Sequence, residues 1–231
     1  MVAAGRVRIM LVSPSVTIVS VPREQFSRTR LSLQSILDAR ELDWPIIYVD
    51  GNSPSGLMRE LVAIHERIDI VHKDEYLTGN EARNLALARV GTRYVIFIAN
   101  DVQVWPGALR AMVKCAEKTG AWIVGPLCCA GAPFSQRVHV ARCQLRIVEE
   151  DGRRRLHEVK PDCNEPAAEV RSRLGRGVSE EVEFHCLLAR TELFDRIGAL
   201  DEDFSPASIT STYASRRRNK VFPSILRARR Q

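Results

Sequence analysis

Between Ser15 and Val124 the sequence alternates short apolar, β-branched runs with longer segments of helical spacing. That rhythm constrains the fold more than any other feature. Ser15–Val21 (SVTIVSV), bounded by Pro14 and Pro22, reads as a buried strand. Pro45–Val49 (PIIYV), Ile68–His72, Tyr94–Ala99 (YVIFIA) and Ala121–Val124 repeat the pattern. Between them, Arg23–Arg40 carries Phe26, Leu31, Leu33, Ile36 and Leu37 at helical spacing, and Gly56–Arg67 carries Leu57, Leu61 and Ile64. Asn80–Arg89 is an Ala/Leu-rich helix stopped by Gly91, and Pro106–Thr119 is a helix with proline in its first turn. Such alternation predicts an α/β fold with a doubly wound, mostly parallel central sheet. Right-handed crossovers then bring the strand C-termini to one edge, where ligands bind. The polar residues due at that edge are Asp50, His72-Lys73-Asp74 and Asn100-Asp101, a set suited to a phosphate-bearing, metal-bound ligand.

The second half breaks the rhythm. Gln136–Glu149 reads as a strand, one side of a hairpin, and Glu150–Glu181 as a long charged excursion. Glu183–Ala189 (EFHCLLA) is a strand, and Thr191–Ile197 a short helix with Thr191 as N-cap and Gly198 closing it. After Phe204 the pattern stops: Ser205–Ser215 is rich in Ser, Thr and Ala, and a basic stretch follows. No internal repeat is present.

Charge enters the argument at that last stretch. The chain of 231 residues has 34 Lys and Arg against 28 Asp and Glu, a formal +6. Seven of the basic residues lie between Arg216 and Gln231 with no acid among them; the other 27 face all 28 acids. The body is therefore near neutral, which excludes a body-wide nucleic-acid surface. The tail also lacks the interleaved aromatics of a base-stacking surface, with only Tyr213 and Phe222 near; no specific nucleic-acid partner is expected. No apolar stretch approaches the ~18 residues of a transmembrane segment, and Ile9–Val12 is too short for a signal-peptide core. The six cysteines form no C-x-x-C pair and read as free thiols of a reducing, cytoplasmic compartment.

Taken one by one, the chemistry-bearing residues each have a functional and a structural reading. Asp101, just past the most apolar strand, could hold a divalent cation that bridges phosphates, or simply form a turn. Asp50 at the matching end of another strand could accept a hydrogen bond from a base or ribose, or serve the turn before Gly51-Asn52. Arg83 offers a planar fork for phosphate or a solvated helix surface. His185 lies in an apolar strand as a core histidine or a functional one, and Asp201-Glu202-Asp203 is an acidic loop behind a helix stop. No P-loop, G-x-G-x-x-G, nucleophile elbow or H-E-x-x-H motif occurs.

Together the strings SVTIVSVPREQFSRTRLSLQSIL, IIYVDGNSP, NEARNLALARVGTRYVIFIANDVQVWPGAL, WIVGPL and EFHCLLARTELFDRIGALDEDF resemble, in content and order, the family-2 glycosyltransferases of the GT-A fold. The resemblance covers about residues 15 to 204. It implies an inverting transferase that takes a nucleotide-diphosphate sugar, with Mg or Mn, and passes the sugar to a glycan, lipid or protein hydroxyl. Asp50 then matches the carboxylate near the base or ribose, and Arg83 and Asn84 the polar positions near diphosphate and sugar. Asp101 matches the last acid of the D-x-D metal motif, while His185, Asp201 and Glu202 match the acceptor side.

Two departures accompany the resemblance. The first acid of D-x-D is replaced by Ala99. No acid follows Asp203, so the acidic block that supplies the family's general base has no counterpart, and Asp203 is the one nearby substitute. The expected organisation is an N-terminal extension (1–14), a GT-A-like domain (15–204) and an irregular basic tail (205–231). The domain divides into a nucleotide-sugar half (15–127) and a smaller, partly antiparallel acceptor-side half (128–204) with an insertion at 149–181. The ending reads as truncated or frame-shifted. A catalytically inactive nucleotide-sugar binder is the alternative, and peripheral contact with an anionic membrane through the basic tail is a further one.

Overall fold

A computed structural model of the chain describes residues 15–23, 26–39, 44–63, 67–131 and 136–203. The expectations for residues 1–14 and 205–231, for Ile64 and for Phe204 lie outside the described residues. Four strands, β1 (Val16–Val21), β2 (Ile46–Gly51), β3 (Asp69–Lys73) and β4 (Tyr94–Ala99), pair in parallel in the order β3-β2-β1-β4. Helices α1 (Thr29–Ala39), α2 (Ser55–Val62) and α3 (Gly79–Leu87) connect them. Helix α4 (Ala108–Thr119) leads from β4 to the two-residue β5 (Ile123–Val124).

All residues of β1, β2 and β4 are buried, because helices cover both faces of the sheet. Val16, Ile18, Tyr94, Ile96 and Ile98 pack on Leu33, Ile36 and Leu37 of α1, Leu61 of α2, and Leu109 and Met112 of α4. Val19, Val21, Val95 and Phe97 pack on the other side against Ala82 and Ala86 of α3. Each large apolar side chain so buried contributes about 1.5–3 kcal/mol, and the burial on both faces explains why these strands read as continuous apolar runs.

α3 starts one residue before Asn80, on a capping box. The Thr78 side chain accepts the Glu81 amide hydrogen, and the Glu81 side chain accepts the Thr78 N–H. α4 is bounded by Gly107 (φ 81°) and Gly120 (φ 72°), both left-handed, so Pro106 precedes the helix rather than opening it.

The second half departs from expectation in three ways. The stretch 136–149 holds two strands in different sheets: β6 (Cys128–Ala130) pairs with β7 (Arg137–Val140), and β8 (Gln144–Glu150) pairs with β9 (Arg153–Val159). The charged excursion is thus not irregular; it supplies β9 and helix α5 (Ala167–Arg173). The β8–β9 register is set by Asp151-Gly152, both at positive φ (51° and 68°), the backbone a tight hairpin requires.

Strand β10 (Cys186–Arg190) enters the main sheet antiparallel, between β4 and β5, with Cys186 opposite Ile98 and Arg190 opposite Tyr94. α6 (Glu192–Ile197) follows, with Leu193 on the α3 side of the sheet. Thr191 is not a side-chain cap: its hydroxyl donates to the Thr92 carbonyl (2.6 Å), a tertiary bond that competes with capping. Among the described residues no helix is long and apolar enough to cross a membrane. The six cysteines are all free thiols.

Candidate functional site

The strand order reverses at β1: the chain steps from β1 to β2 and β3, then returns to place β4 on β1's other side. The crevice beyond the strand ends at such a switch is where α/β sheets bind ligands. Because β10 is antiparallel, its beginning meets that same edge. The Ala99 N–H donates to the His185 carbonyl (2.9 Å), so residues 183–185 arrive beside the end of β4.

Asn100 holds the crevice together. It is fully buried; its Oδ1 accepts the Arg23 N–H (3.0 Å) and its Nδ2 donates to Thr29 Oγ1 (2.9 Å). Its own amide donates to the Val21 carbonyl (2.9 Å). The exit of β1, the start of α1 and the exit of β4 are thereby tied to one side chain. Next to it, Asp101 lies 3.9 Å through Oδ2 from the Arg23 guanidinium, while its Oδ1 is buried with no hydrogen-bond partner among the described residues. An orphaned carboxylate oxygen is costly, and it is the donor type that Mg²⁺ and Mn²⁺ prefer.

Arg83 projects from α3 and is 5% exposed. Its guanidinium lies 3.8 Å from the centroid of the Phe184 ring and donates to Asn80 Oδ1 (3.0 Å), and its Nε is buried without a partner. Among the described residues no carboxylate neutralises it. Burial, and then the charge of Arg23, push it down to about 9. Gly79 makes room for this pose, since a Cβ there would lie 2.9 Å from the guanidinium. A buried cation without an acid beside it is an anion-binding arrangement.

Asn84, one residue on, turns elsewhere. Its Nδ2 donates to the Leu200 carbonyl (3.0 Å) and Glu202 Oε1 (2.7 Å), and its Oδ1 accepts the Leu200 N–H (2.9 Å). Asn80 donates to the Asp201 carbonyl (2.7 Å). The acidic loop is therefore fastened to α3 by two asparagines, with Glu202 and Asp203 exposed.

Asp50 is fully buried at the end of β2. Its carboxylate accepts from the Ser53 hydroxyl and sits 2.6 Å from His72 Nδ1, whose Nε2 lies 3.0 Å from Asp74. Those two contacts, Asp50 before Asp74, raise the His72 pKa. What this edge shows to solvent is thus the half-exposed imidazole rather than the Asp50 carboxylate.

His185 belongs to a third group. Its Nδ1 lies 2.7 Å from Glu183 Oε2, without hydrogen-bond alignment, and His139 Nε2 is 3.0 Å from the same oxygen. Lys160 bonds the other oxygen. Burial would raise the Glu183 pKa, but His185 and Lys160 override it and hold the carboxyl at about 2. His139, Glu183 and His185 line one broad cleft with Asp101, Arg23 and Trp105.

The structure thus brings Asp101 and His185 to a shared cleft and places Arg83 in electrostatic reach of Arg23. It ties Asn84, Asp201 and Glu202 into a separate clamp. Sequence reasoning placed Asn100 at this edge beside Asp101 without giving it a role, and it did not single out Phe184, His139 or Glu183, which carried no local signal.

Residues 17–171 match the family model described as Glycosyl transferase family 2. Over 73 residues, 30% of this chain, the sequence is 36% identical to TuaG of Bacillus subtilis (strain 168), named as a teichuronic acid biosynthesis glycosyltransferase, of which the match covers 29%. Solved structures share the fold at low identity. S. aureus TarS 1-349 has a TM-score of 0.56 at 11% identity, over 86% of this chain and 54% of its own. The Pyrobaculum calidifontis mannosyltransferase PcManGT, in complex with GDP-Man and Mn²⁺, has 0.56 at 18% over 86% and 50%. GalNAc-T7, with UDP, GalNAc and Mn²⁺, has 0.59 at 12% over 87% and 40%. The chain aligns with less than a third of its curated relative and about half of these structures.

Proposed function

The chain belongs to glycosyl transferase family 2, and from that premise we propose that its cleft binds a nucleotide-diphosphate sugar with a divalent cation and transfers the sugar, with inversion, to an acceptor hydroxyl. The observation that carries this reading is Arg83: a buried guanidinium, stacked on Phe184, with an unpartnered Nε and no carboxylate against it among the described residues. It waits for an anion, and a diphosphate has the matching geometry. Mannosyltransferase PcManGT and GalNAc-T7, which carry GDP-Man or UDP with Mn²⁺, support the choice of ligand class.

In this reading the half 15–127 holds the nucleotide. His72, backed by Asp50, faces the base or ribose, and Arg83 the diphosphate. Asn84 contributes by holding the 200–202 loop over α3. Asp101 fits a cation through its orphaned Oδ1, and with Ala99 two residues before it the site depends on the diphosphate for further oxygen ligands. A divalent ion there supplies charge neutralisation for the departing diphosphate. The acceptor oxygen attacks the anomeric carbon opposite the breaking bond, and its proton needs a base. The half 128–204 faces the acceptor, and Asp203 is this chain's acidic candidate for that proton. The basic stretch from Arg216 would give peripheral contact with an anionic membrane face.

A second reading, a nucleotide-sugar binder that does not transfer, is favoured by Ala99 at the first metal-motif position. Calorimetric titration with UDP, GDP and dTDP, with and without Mn²⁺, tests the site. Arg83→Ala should weaken binding roughly 10–100-fold, the worth of a charged hydrogen bond, and Asp101→Ala should erase the Mn²⁺-dependent part. Absence of binding at millimolar nucleotide sinks both readings; binding without sugar transfer or hydrolysis leaves the second.

A further inference from the structure

We propose that His139, Glu183 and His185 form a second cation site, separate from Asp101, built for a borderline first-row metal such as Zn²⁺. Two imidazoles and one carboxylate are a common protein set for zinc with a position left open. Here they come from β7 of the small β6–β7 sheet and from the segment that enters β10 of the main sheet, with His139 and Glu183 44 residues apart in sequence. Their ligand atoms all lie within 4.8 Å of one another. Tetrahedral zinc wants its ligand atoms roughly 3.3 Å apart, so the 2.7 and 3.0 Å contacts to Glu183 would open by a few tenths of an ångström, with the two imidazole nitrogens, already within 4.8 Å, adjusting to the same spacing. Asp101 belongs to no such group among the described residues.

Three further observations point the same way. His185 Nδ1 is buried, and its 2.7 Å contact with Glu183 lacks hydrogen-bond alignment, so its lone pair is not well used and a metal would satisfy it. The centroids of the two rings lie 4.8 Å apart, and each ring has a nitrogen within 3.0 Å of the same carboxylate oxygen, Glu183 Oε2. Lys160 engages Oε1 of Glu183 and lies 3.6 Å from Glu158. It therefore fixes the carboxylate from behind, as outer partners of metal ligands do, and leaves Oε2 to the histidines. With Lys160 balanced by Glu158, the negative charge of Glu183 stays available to a dication. His139 is the most open of the three, 35% exposed against 17% for His185 and 5% for Glu183. The fourth position therefore faces the cleft, where water or an oxygen ligand can complete it. The neighbouring group Cys143, Glu158 and Glu181 is a poorer site, because burial and Glu181 hold the Cys143 thiol up at about 12, far from the thiolate that zinc takes.

The test uses the full chain, stripped of metal, titrated with Zn²⁺ by calorimetry and with Co²⁺ by visible absorption at pH 7.5. The wild type and Asp101→Ala should each bind one equivalent with the same affinity, and Co²⁺ should show no thiolate charge-transfer band. His139→Gln and His185→Gln should each weaken binding at least tenfold, with circular dichroism unchanged. If His185→Gln fails to fold, His139→Gln decides alone, its ring being the more exposed. No Zn²⁺ binding by the wild type at 100 µM, retention of binding in both histidine variants, or its loss in Asp101→Ala overturns the assignment.

Discussion

β4 and β9 are strands of nearly equal length with opposite surroundings. Each of the six residues of β4 is buried; each of the seven of β9 is exposed. In β4, order comes from apolar area removed from water on both faces of the sheet. In β9 it comes from a seven-pair ladder and an Asp-Gly turn, with Glu149 opposite Arg154 and Glu150 opposite Arg153. The candidate chemistry lies between these extremes, at the strand-end edge of the main sheet, where polar side chains of the first half are buried and residues of the second half reach them. That is where orphaned or crowded charges occur.

Four measurements would break or sharpen the contrast. Ile96→Ala in β4 should cost about 3–4 kcal/mol in urea unfolding, since a fully buried side chain leaves a cavity that the helices on both faces cannot close; a loss below 1 kcal/mol would mean that the sheet is far looser than its burial indicates. Asn100→Ala should cost about 2 kcal/mol, because it removes two hydrogen bonds, one buried and one part-buried, that tie Arg23 and Thr29 to the end of β4. Thermal unfolding against pH should reveal Glu183. Its folded pKa of about 2 lies below the ordinary 4.5, so its stabilising contribution is complete above pH 4.5 and is lost as pH falls toward 2. Glu183→Gln should flatten that acid limb, and an unchanged slope would show that His139, His185 and Lys160 do not hold the carboxylate as described. At the small end, Leu156→Ser in β9 should change stability by less than about 0.5 kcal/mol, since Leu156 is 61% exposed; a larger loss would reveal a covering surface over the hairpin.

The legible parts share a cause. β1, β2 and β4 stood out because strands buried on both faces must be apolar throughout, and Asp50 and Asp101 stood out because they end such runs. The capping box Thr78-x-x-Glu81 was equally present in the sequence and moves the start of α3 only slightly. Other features had no local signature. β9 lacks a buried face, so its pattern resembles a loop apart from Asp151-Gly152. Thr191 has the composition of a cap, yet its hydroxyl is drawn to Thr92, which precedes β4. Arg83 could be named as a phosphate fork from its residue type, while its burial on Phe184, 101 positions away, could not.

The sequence by itself determined the parallel α/β layering, the strand ends that carry acids, and the family to which the chain belongs, because each follows from local apolar periodicity or from the order of short motifs. Only the tertiary structure decided that β10 runs antiparallel beside β4. That pairing sets His185 next to Ala99, and the separate β6–β7 sheet brings His139 to Glu183. Pairing between distant strands depends on which surfaces are left to bury once the local elements have formed, and no short window of sequence contains that information.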